Sequence, residues 1–376
     1  MNGDSAANAE RPIGLTAPLN GERVAGMARS PGLDRAGASG SARARRSARG
    51  GGAVARLRYL NRVAAAYLGN APSQLTFWHE APAINQRSFE ESCGEYYHCF
   101  FRKADYGAHL DEQGIPLLDY RGSVGKQYNP IAIAQWGLGN FNLYRRTRGD
   151  DRREKFIRAA DWLVAKLSPN QSGIPVWKHE FDWEYRDLLH AGWYSALAQG
   201  QGVSLLCRAH RETGSDLYLE SAQLAFRAMT LSTAEGGVRI PDGHDGAWLE
   251  ETVVEPPTHI LNGFLWALWG VKDYADVSGE PAARELLIAC TRTLLRNLAA
   301  YDCGYWSLYE QSGTRMKMLA SPFYHRLHVS QLRITARLLA LPELAAWADR
   351  WSHYAERQTC AKRALAYKAL FKLLYY

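Results

Sequence analysis

No run of about 20 apolar residues occurs in this 376-residue chain, so no membrane-spanning helix is expected. A glycine-flanked serine elbow, a P-loop and a dinucleotide fingerprint are also lacking, which takes away the usual motif support for acyl transfer, phosphoryl transfer and nicotinamide chemistry. Cysteine is sparse. Cys93, Cys99, Cys207, Cys290, Cys303 and Cys360 are scattered without metal-ligand spacing. They read as reduced, buried thiols, with Cys93 and Cys99 the one pair to consider as a bridge if the protein is exported. Neither a metal nor a cofactor is expected. The net charge is +7, and the first 50 residues, with eight arginines against four acids, supply 8 − 4 = 4 of it. Beyond them no basic stripe interleaved with aromatics remains, so nucleic acid is not an expected partner.

What the chain does have is 47% hydrophobic residues, enough for a sizeable core. Residues 1–52, rich in Ala, Gly, Ser and Arg and lacking a signal-peptide core, read as a disordered basic tail. Residues 53–127 read as a helix, with Leu57, Leu60, Val63, Ala64 and Leu68 on one face, followed by a small β-rich region around Tyr96-Tyr97-His98-Cys99-Phe100-Phe101. From residue 128 the pattern turns helical and recurs. Helices are expected near 130–147 and 152–167, 191–213 and 215–231, 258–277 and 281–298, and in a shorter pair from Pro322 to Tyr354 broken at Leu341-Pro342. Each unit is an αα-hairpin of roughly 65 residues. The fold class is therefore mainly α: an incomplete α/α-toroid of about four helical hairpins, with a small β-rich N-terminal part and β-hairpin loops. Residues 128–356 form the toroid and 357–376 a helical extension.

Glycine and glutamine interrupt the apolar helices. Trp193-Tyr194-Ser195-Ala196-Leu197-Ala198-Gln199-Gly200-Gln201-Gly202 is the strongest case, echoed by Ala134-Gln135-Trp136-Gly137 and Leu261-Asn262-Gly263-Phe264. A helical glycine costs about 1 kcal/mol against alanine, so something must approach these backbones closely. On an inner toroid wall the glycines would leave room for a sugar chain beside Gln199.

Long loops at 168–190, 233–257 and 299–321 are where a site would sit. The second contains Gly236-Gly237 and Trp248-Leu249-Glu250-Glu251, a β-hairpin in which adjacent acids would face opposite sides, so that one of them reaches the cleft. Two solvated acids on an edge strand are the alternative. The third loop is rich in phenols: Tyr301, Tyr305 and Tyr309. His325 and His328 share a helix face after Tyr324, but no acid or cysteine completes a metal set. Phenols, a glutamate and a few cations fit proton transfer at a carbon acid, which needs a base and neutralisation of the developing enediolate.

These residues resemble the D-glucuronyl C5-epimerase family over about residues 95–355. The elements that carry the resemblance are Lys103-Ala104-Asp105-Tyr106, Gly114-Ile115-Pro116-Leu117-Leu118-Asp119-Tyr120, Gln127-Tyr128-Asn129-Pro130, the Trp193 to Gln201 stretch, Trp248-Leu249-Glu250-Glu251, Ile260-Leu261-Asn262-Gly263-Phe264, Tyr301-Asp302, and Tyr324-His325 with His328 and Gln331. The resemblance implies a β-rich part followed by an α/α-toroid, and conversion of D-glucuronate to L-iduronate within a heparosan-like or bacterial polysaccharide by proton removal and return at C5. It implies Glu251 and Tyr324 as opposed acid/base groups, with Tyr309 stabilising or relaying. Tyr128, Gln135, Gln199, Asn262, His325 and Arg326 are the substrate-binding candidates. Where the family usually has a tyrosine after the second glutamate, this chain has Thr252.

Two other readings compete: a toroid lyase, which eliminates after the same proton abstraction, and a non-catalytic uronate-glycan-binding protein. The expected partner in each case is an anionic, uronate-containing polysaccharide. A homodimer is compatible with the sequence, and the expected location is cytoplasmic or peripheral to a membrane.

Overall fold

The computed structural model describes Phe77 and residues 83–120, 124–184, 188–243 and 245–375. The expected basic tail and the helix at 53–68 lie outside the described residues. Four helical hairpins follow one another. They are α1 (Pro130–Thr147) with α2 (Asp150–Lys166), α3 (Ala196–Thr213) with α4 (Asp216–Thr230), α5 (Leu261–Ser278) with α6 (Pro281–Asn297), and α7 (Pro322–Leu338) with α8 (Pro342–Glu356); α9 (Gln358–Tyr375) closes the chain. The first helix of each pair packs on the first helix of the next, in the order α1, α3, α5, α7, and the second helices lie outside. The result is an incomplete α/α-toroid.

Local chemistry sets the ends. Asn129 caps α1 by accepting from the amides of Ile131 and Ala132, Ser195 and Ser321 cap α3 and α7, and prolines open α1, α6, α7 and α8. Gly214 and Gly279 adopt left-handed conformations that end α3 and α5. Burial separates the two layers. An outer helix such as α2 buries only a stripe, Phe156, Ala159, Ala160 and Leu163, whereas α3 is buried continuously from Ala196 to Ala209.

The inner-helix glycines serve the protein's own packing. A Cβ on Gly200 would lie 2.5 Å from the Ala267 Cα of α5, and one on Gly270 would collide with the Gly200 backbone. One on Gly202 would enter the Trp177 ring. The close approach expected from the sequence is therefore real, but it is made by a neighbouring helix and an indole. The space expected for a sugar chain is filled.

The N-terminal part is less β-rich than expected. Within 83–127 the only ladder among the described residues joins Leu118–Asp119 to Lys126–Gln127, with isolated bridges Ile84 to His98 and Leu110 to Pro116 and a helical turn Phe101–Ala104. The aromatic run reads as a strand because its residues are β-formers. Instead they enter the helical core one by one. Asn142 of α1 accepts from the Tyr96 amide (2.6 Å) and donates to the His98 carbonyl (2.9 Å). Arg208 of α3 donates to the Gly94 carbonyl (2.8 Å) and pairs with Asp273 of α5 (2.7 Å), which also accepts from the Tyr97 hydroxyl (2.5 Å). His98 meets Ser330 of α7 at 3.1 Å. The segment thus plugs the toroid at the C-terminal halves of α1, α3 and α5. Cys93, within this plug, keeps a free thiol pushed up to about 12 by burial and is not bridged to Cys99.

Among the described residues no helix is long and apolar enough to cross a membrane.

Candidate active site

At the opposite end, the loops before α5 and α7 meet. The β-hairpin Arg239–Asp242 with Gly246–Leu249 forms as the sequence suggests, but its second strand stops at Leu249. Glu250 and Glu251 therefore lie beyond the ladder, and the alternation of strand faces does not apply to them. Neither is solvated: they are 1% and 2% exposed. They separate by turning to different partners. Glu250 accepts from the backbone amides of Thr258 (3.3 Å) and His259 (3.0 Å) and meets the His259 ring Nδ1 at 2.5 Å. Glu251 accepts a single bond, 3.3 Å from the Asn262 amide group to Oε2, and its Oε1 is buried without a partner. Gly263 is needed here, because a Cβ at that position would occupy the place of the Glu251 carboxyl.

Tyr309 and Tyr324 complete the group. Their rings meet edge to face with centroids 4.9 Å apart, inside a small apolar cluster of Leu189, Ile260, Met318, Ala320 and Phe371, with Trp183 and Trp193 against it. The Tyr309 hydroxyl is buried, and its polar neighbour is the Tyr324 phenol. Burial pushes the Glu251 carboxyl well above the usual carboxylate range, and the Glu250 charge adds to that. Burial, then the Glu251 charge, raises both phenols. The site is thus a buried apolar cluster around one carboxyl and two phenols, each favoured in its protonated form.

The other sequence candidates divide. Asn262 holds Glu251, and its own backbone carbonyl accepts from Gln331 (2.9 Å). Gln199 and Gln135 are buried on α3 and α1. Gln199 lies 3.4 Å from the Trp177 backbone groups, and the Gln135 Oε1 has no partner. Arg326, two residues after Tyr324 on α7, is exposed, and partial desolvation lowers its guanidinium below the ordinary value. Two candidates are placed elsewhere. Tyr128 turns outward, donating to Asp111 (2.7 Å) and packing on Trp162 of α2. His325 is sealed behind the loop. Its Nδ1 accepts from the Ser307 amide (3.1 Å), its Nε2 donates to the Trp351 carbonyl (2.8 Å), and its ring stacks on Trp306 at 3.9 Å. Burial lowers it to about 3, so it remains neutral, and no face is left for a sugar. His328 meets the same serine hydroxyl at 3.1 Å and is also buried.

Three features were not anticipated from the sequence: the bond from Glu250 to His259, the packing of Phe371 from α9 against Tyr309, and the neighbouring pair Glu310 and Lys368. Burial raises Glu310 to about 7 and lowers Lys368 to about 8. The apolar face of α9 was the available signal for the second. Among the described residues no group of three or more His, Cys, Asp or Glu could hold a metal ion.

The fold is an α/α-toroid that gathers a buried carboxyl and two phenols at one end. Residues 171–353 match the family model described as D-glucuronyl C5-epimerase C-terminus. This segment, a little under half of the chain, is similar to the C-terminal part of that family. It is 33% identical over 223 residues to the D-glucuronyl C5-epimerase of Caenorhabditis elegans, covering 55% of this chain and 36% of that protein. It is also 30% identical over 182 residues to an uncharacterised protein of Methanocaldococcus jannaschii, covering 48% of this chain and 58% of that one. The chain thus spans a little over a third of the worm protein and under two thirds of the archaeal one. Among solved structures, it resembles a family 76 glycoside hydrolase (mannosidase) of Bacteroides thetaiotaomicron with a TM-score of 0.43 at 12% identity, covering 78% of this chain and 83% of that one. It resembles the unsaturated glucuronyl hydrolase of Bacillus sp. GL1 with a TM-score of 0.39 at 14% identity, covering 61% of each. Likeness at that level says nothing about the site.

Proposed function

We propose that this protein epimerises D-glucuronate to L-iduronate at C5 within a uronate-containing polysaccharide, heparosan-like or bacterial. The observation that carries the proposal is a set of buried polar groups in an apolar cluster: Glu251 Oε1, which has no hydrogen-bond partner among the described residues, and the Tyr309 hydroxyl against the Tyr324 phenol. A buried acceptor left unpaired costs about 1–3 kcal/mol if nothing binds there, and a sugar supplies the donor it lacks.

Removal of the C5 hydrogen leaves an enediolate on the adjacent carboxyl, so the site needs a base, an acid on the opposite face and donors for the new charge. Glu251 is the base. Burial raises its proton affinity, so only the ionised fraction of the protein abstracts the C5 proton, and in doing so it converts to the protonated form that burial favours. Tyr324, raised by burial and by Glu251, remains a protonated phenol and returns a proton to the other face of C5. Tyr309 lies edge to face with Tyr324 and donates to the developing enediolate or relays the proton between turnovers. Arg326 meets the uronate carboxylate, and Asn262 holds Glu251 in the productive rotamer, with Gln135 serving the sugar from α1 and Gln199 held on the Trp177 backbone. Thr252 cannot replace the missing family tyrosine as an acid. Its hydroxyl lies 3.1 Å from that of Thr258, so it supports the turn before α5, and the chemistry falls to the two phenols that remain.

The test is proton NMR of heparosan and other glucuronate polymers incubated with the protein in deuterated water. Wild-type protein exchanges the C5 hydrogen, and Glu251→Gln and Tyr324→Phe each abolish that exchange. Full exchange in either variant defeats the role given to that residue. An unsaturated product would reassign the reaction to elimination, and binding without exchange would leave a glycan-binding protein.

A further inference from the structure

We propose that Glu250 is a positioning residue for this reaction, holding the 258–262 turn that sets Glu251 and Tyr309 against each other; the inference rests on the epimerase reading. Glu250 sits at a junction. Its amide donates to the Val238 carbonyl (2.8 Å), and its carbonyl accepts from the Ala196 amide at the start of α3 (2.9 Å). Its carboxylate then spans the turn, one oxygen on the Thr258 and His259 amides and the other on the His259 ring.

His259 needs such a clamp. It is a non-glycine residue in the left-handed region, at φ 49°, a conformation that L side chains adopt at a cost. Three contacts fix it there: the Glu250 carboxylate, a stack on Trp248 with centroids 4.5 Å apart, and the Tyr301 hydroxyl donating to its carbonyl at 2.5 Å. The turn so fixed reaches both reacting groups. The Leu261 amide donates to the Tyr309 carbonyl (3.2 Å), and the Gln311 amide donates to the Thr258 carbonyl (2.9 Å), so the loop carrying Tyr309 is tied to it at two points. One residue further on, Asn262 donates to Glu251. A single carboxylate thereby sets the backbone on which one reacting group hangs and the partner that orients the other.

The same carboxylate also acts on Glu251 through its charge. The groups that act on Glu251 or respond to it are Glu250 from the loop, Asn262 from α5, Tyr309 from its own loop and Tyr324 from α7. Among them Glu250 is the charge that holds Glu251 protonated beyond the effect of burial.

The test is Glu250→Gln, which keeps the size and one acceptor but loses the charge and the clamp on the ring. Three readouts are taken. Amide hydrogen exchange at 258–262 and 309–311 is expected to speed up while the rest of α5 stays protected. Carbon NMR titration of Glu251 is expected to move to lower pH. The rate of C5 exchange at saturating substrate is expected to fall about 10- to 100-fold, with KM changed less than twofold. The first two readouts need no substrate, so they stand or fall independently of the epimerase reading, which fails alone if wild-type protein exchanges no C5 hydrogen. Unchanged protection together with an unchanged Glu251 titration overturns the proposal. Should Glu250→Gln not fold, His259→Asn, which tolerates the left-handed conformation but loses the ring contact, is expected to loosen the same two segments. Unchanged exchange there overturns the proposal equally.

Discussion

Replacing Gly200 by alanine should destabilise the protein, although the same change in an exposed helix stabilises it by about 1 kcal/mol. The new Cβ would stand 2.5 Å from the Ala267 Cα, 2.9 Å from the Trp266 carbonyl oxygen and 3.2 Å from the Ala267 amide nitrogen. Carbon atoms in contact prefer about 3.5–4.0 Å, so α5 would have to withdraw by roughly 1 Å. All three obstacles are backbone, and no rotamer change relieves them. Overpacking costs about 1–3 kcal/mol, and backbone obstacles that no rotamer relieves put this case in the upper part of that range, at about 2–3 kcal/mol. Set against the gain in helix propensity, the net loss is about 1–2 kcal/mol. At about 2–4 °C per kcal/mol for a domain of this size, the Tm should fall by about 2–8 °C in a calorimetric scan. Ala267→Gly added to the variant should not restore it, because the obstruction is the Cα and not the methyl group. A Tm at or above wild type, or rescue by Ala267→Gly, would refute the reasoning.

Two further perturbations test other parts of the structure. Asp273→Asn leaves the Arg208 guanidinium buried at 0% exposure without its counter-charge, which should cost about 3–5 kcal/mol and lower the urea midpoint at unchanged slope; a loss under about 1 kcal/mol would show that the plug is not held by this pair. Glu310, raised from 4.5 to about 7, binds a proton in the folded state that the unfolded chain has released between those values. Its contribution of about 3 kcal/mol is therefore present below pH 4.5 and lost as the pH rises towards 7. Glu310→Gln should remove that slope, and a Tm difference between pH 5 and 7.5 equal to that of wild type would count against it.

The helical pairs were readable because their signals are local. The 3.6-residue spacing of Phe156, Ala160 and Leu163, the prolines at 130, 281, 322 and 342, and the glycines at 214 and 279 act within a turn of where they stand. The role of Glu250 was not readable, because it depends on where a strand ends. The strand ends at Leu249, before the two acids that the hairpin reading placed on it, and they no longer alternate. His325 misled for a related reason. Beside Tyr324 it has the composition of a site residue, and only the tertiary placement of Trp306 and Trp351 shows that both its nitrogens are already committed. The aromatic run at 96–101 shows the same limit. β-propensity measures fit to a half-buried surface, and helix ends supplied that surface here as well as a sheet would.

The plug at the C-terminal halves of the inner helices makes the toroid a blind-ended vessel. On the proposed reading of the site, a polymer would not thread through this vessel but lie across the end where Glu251, Tyr309 and Tyr324 meet, and the hydrogen returned to C5 would come from those three groups.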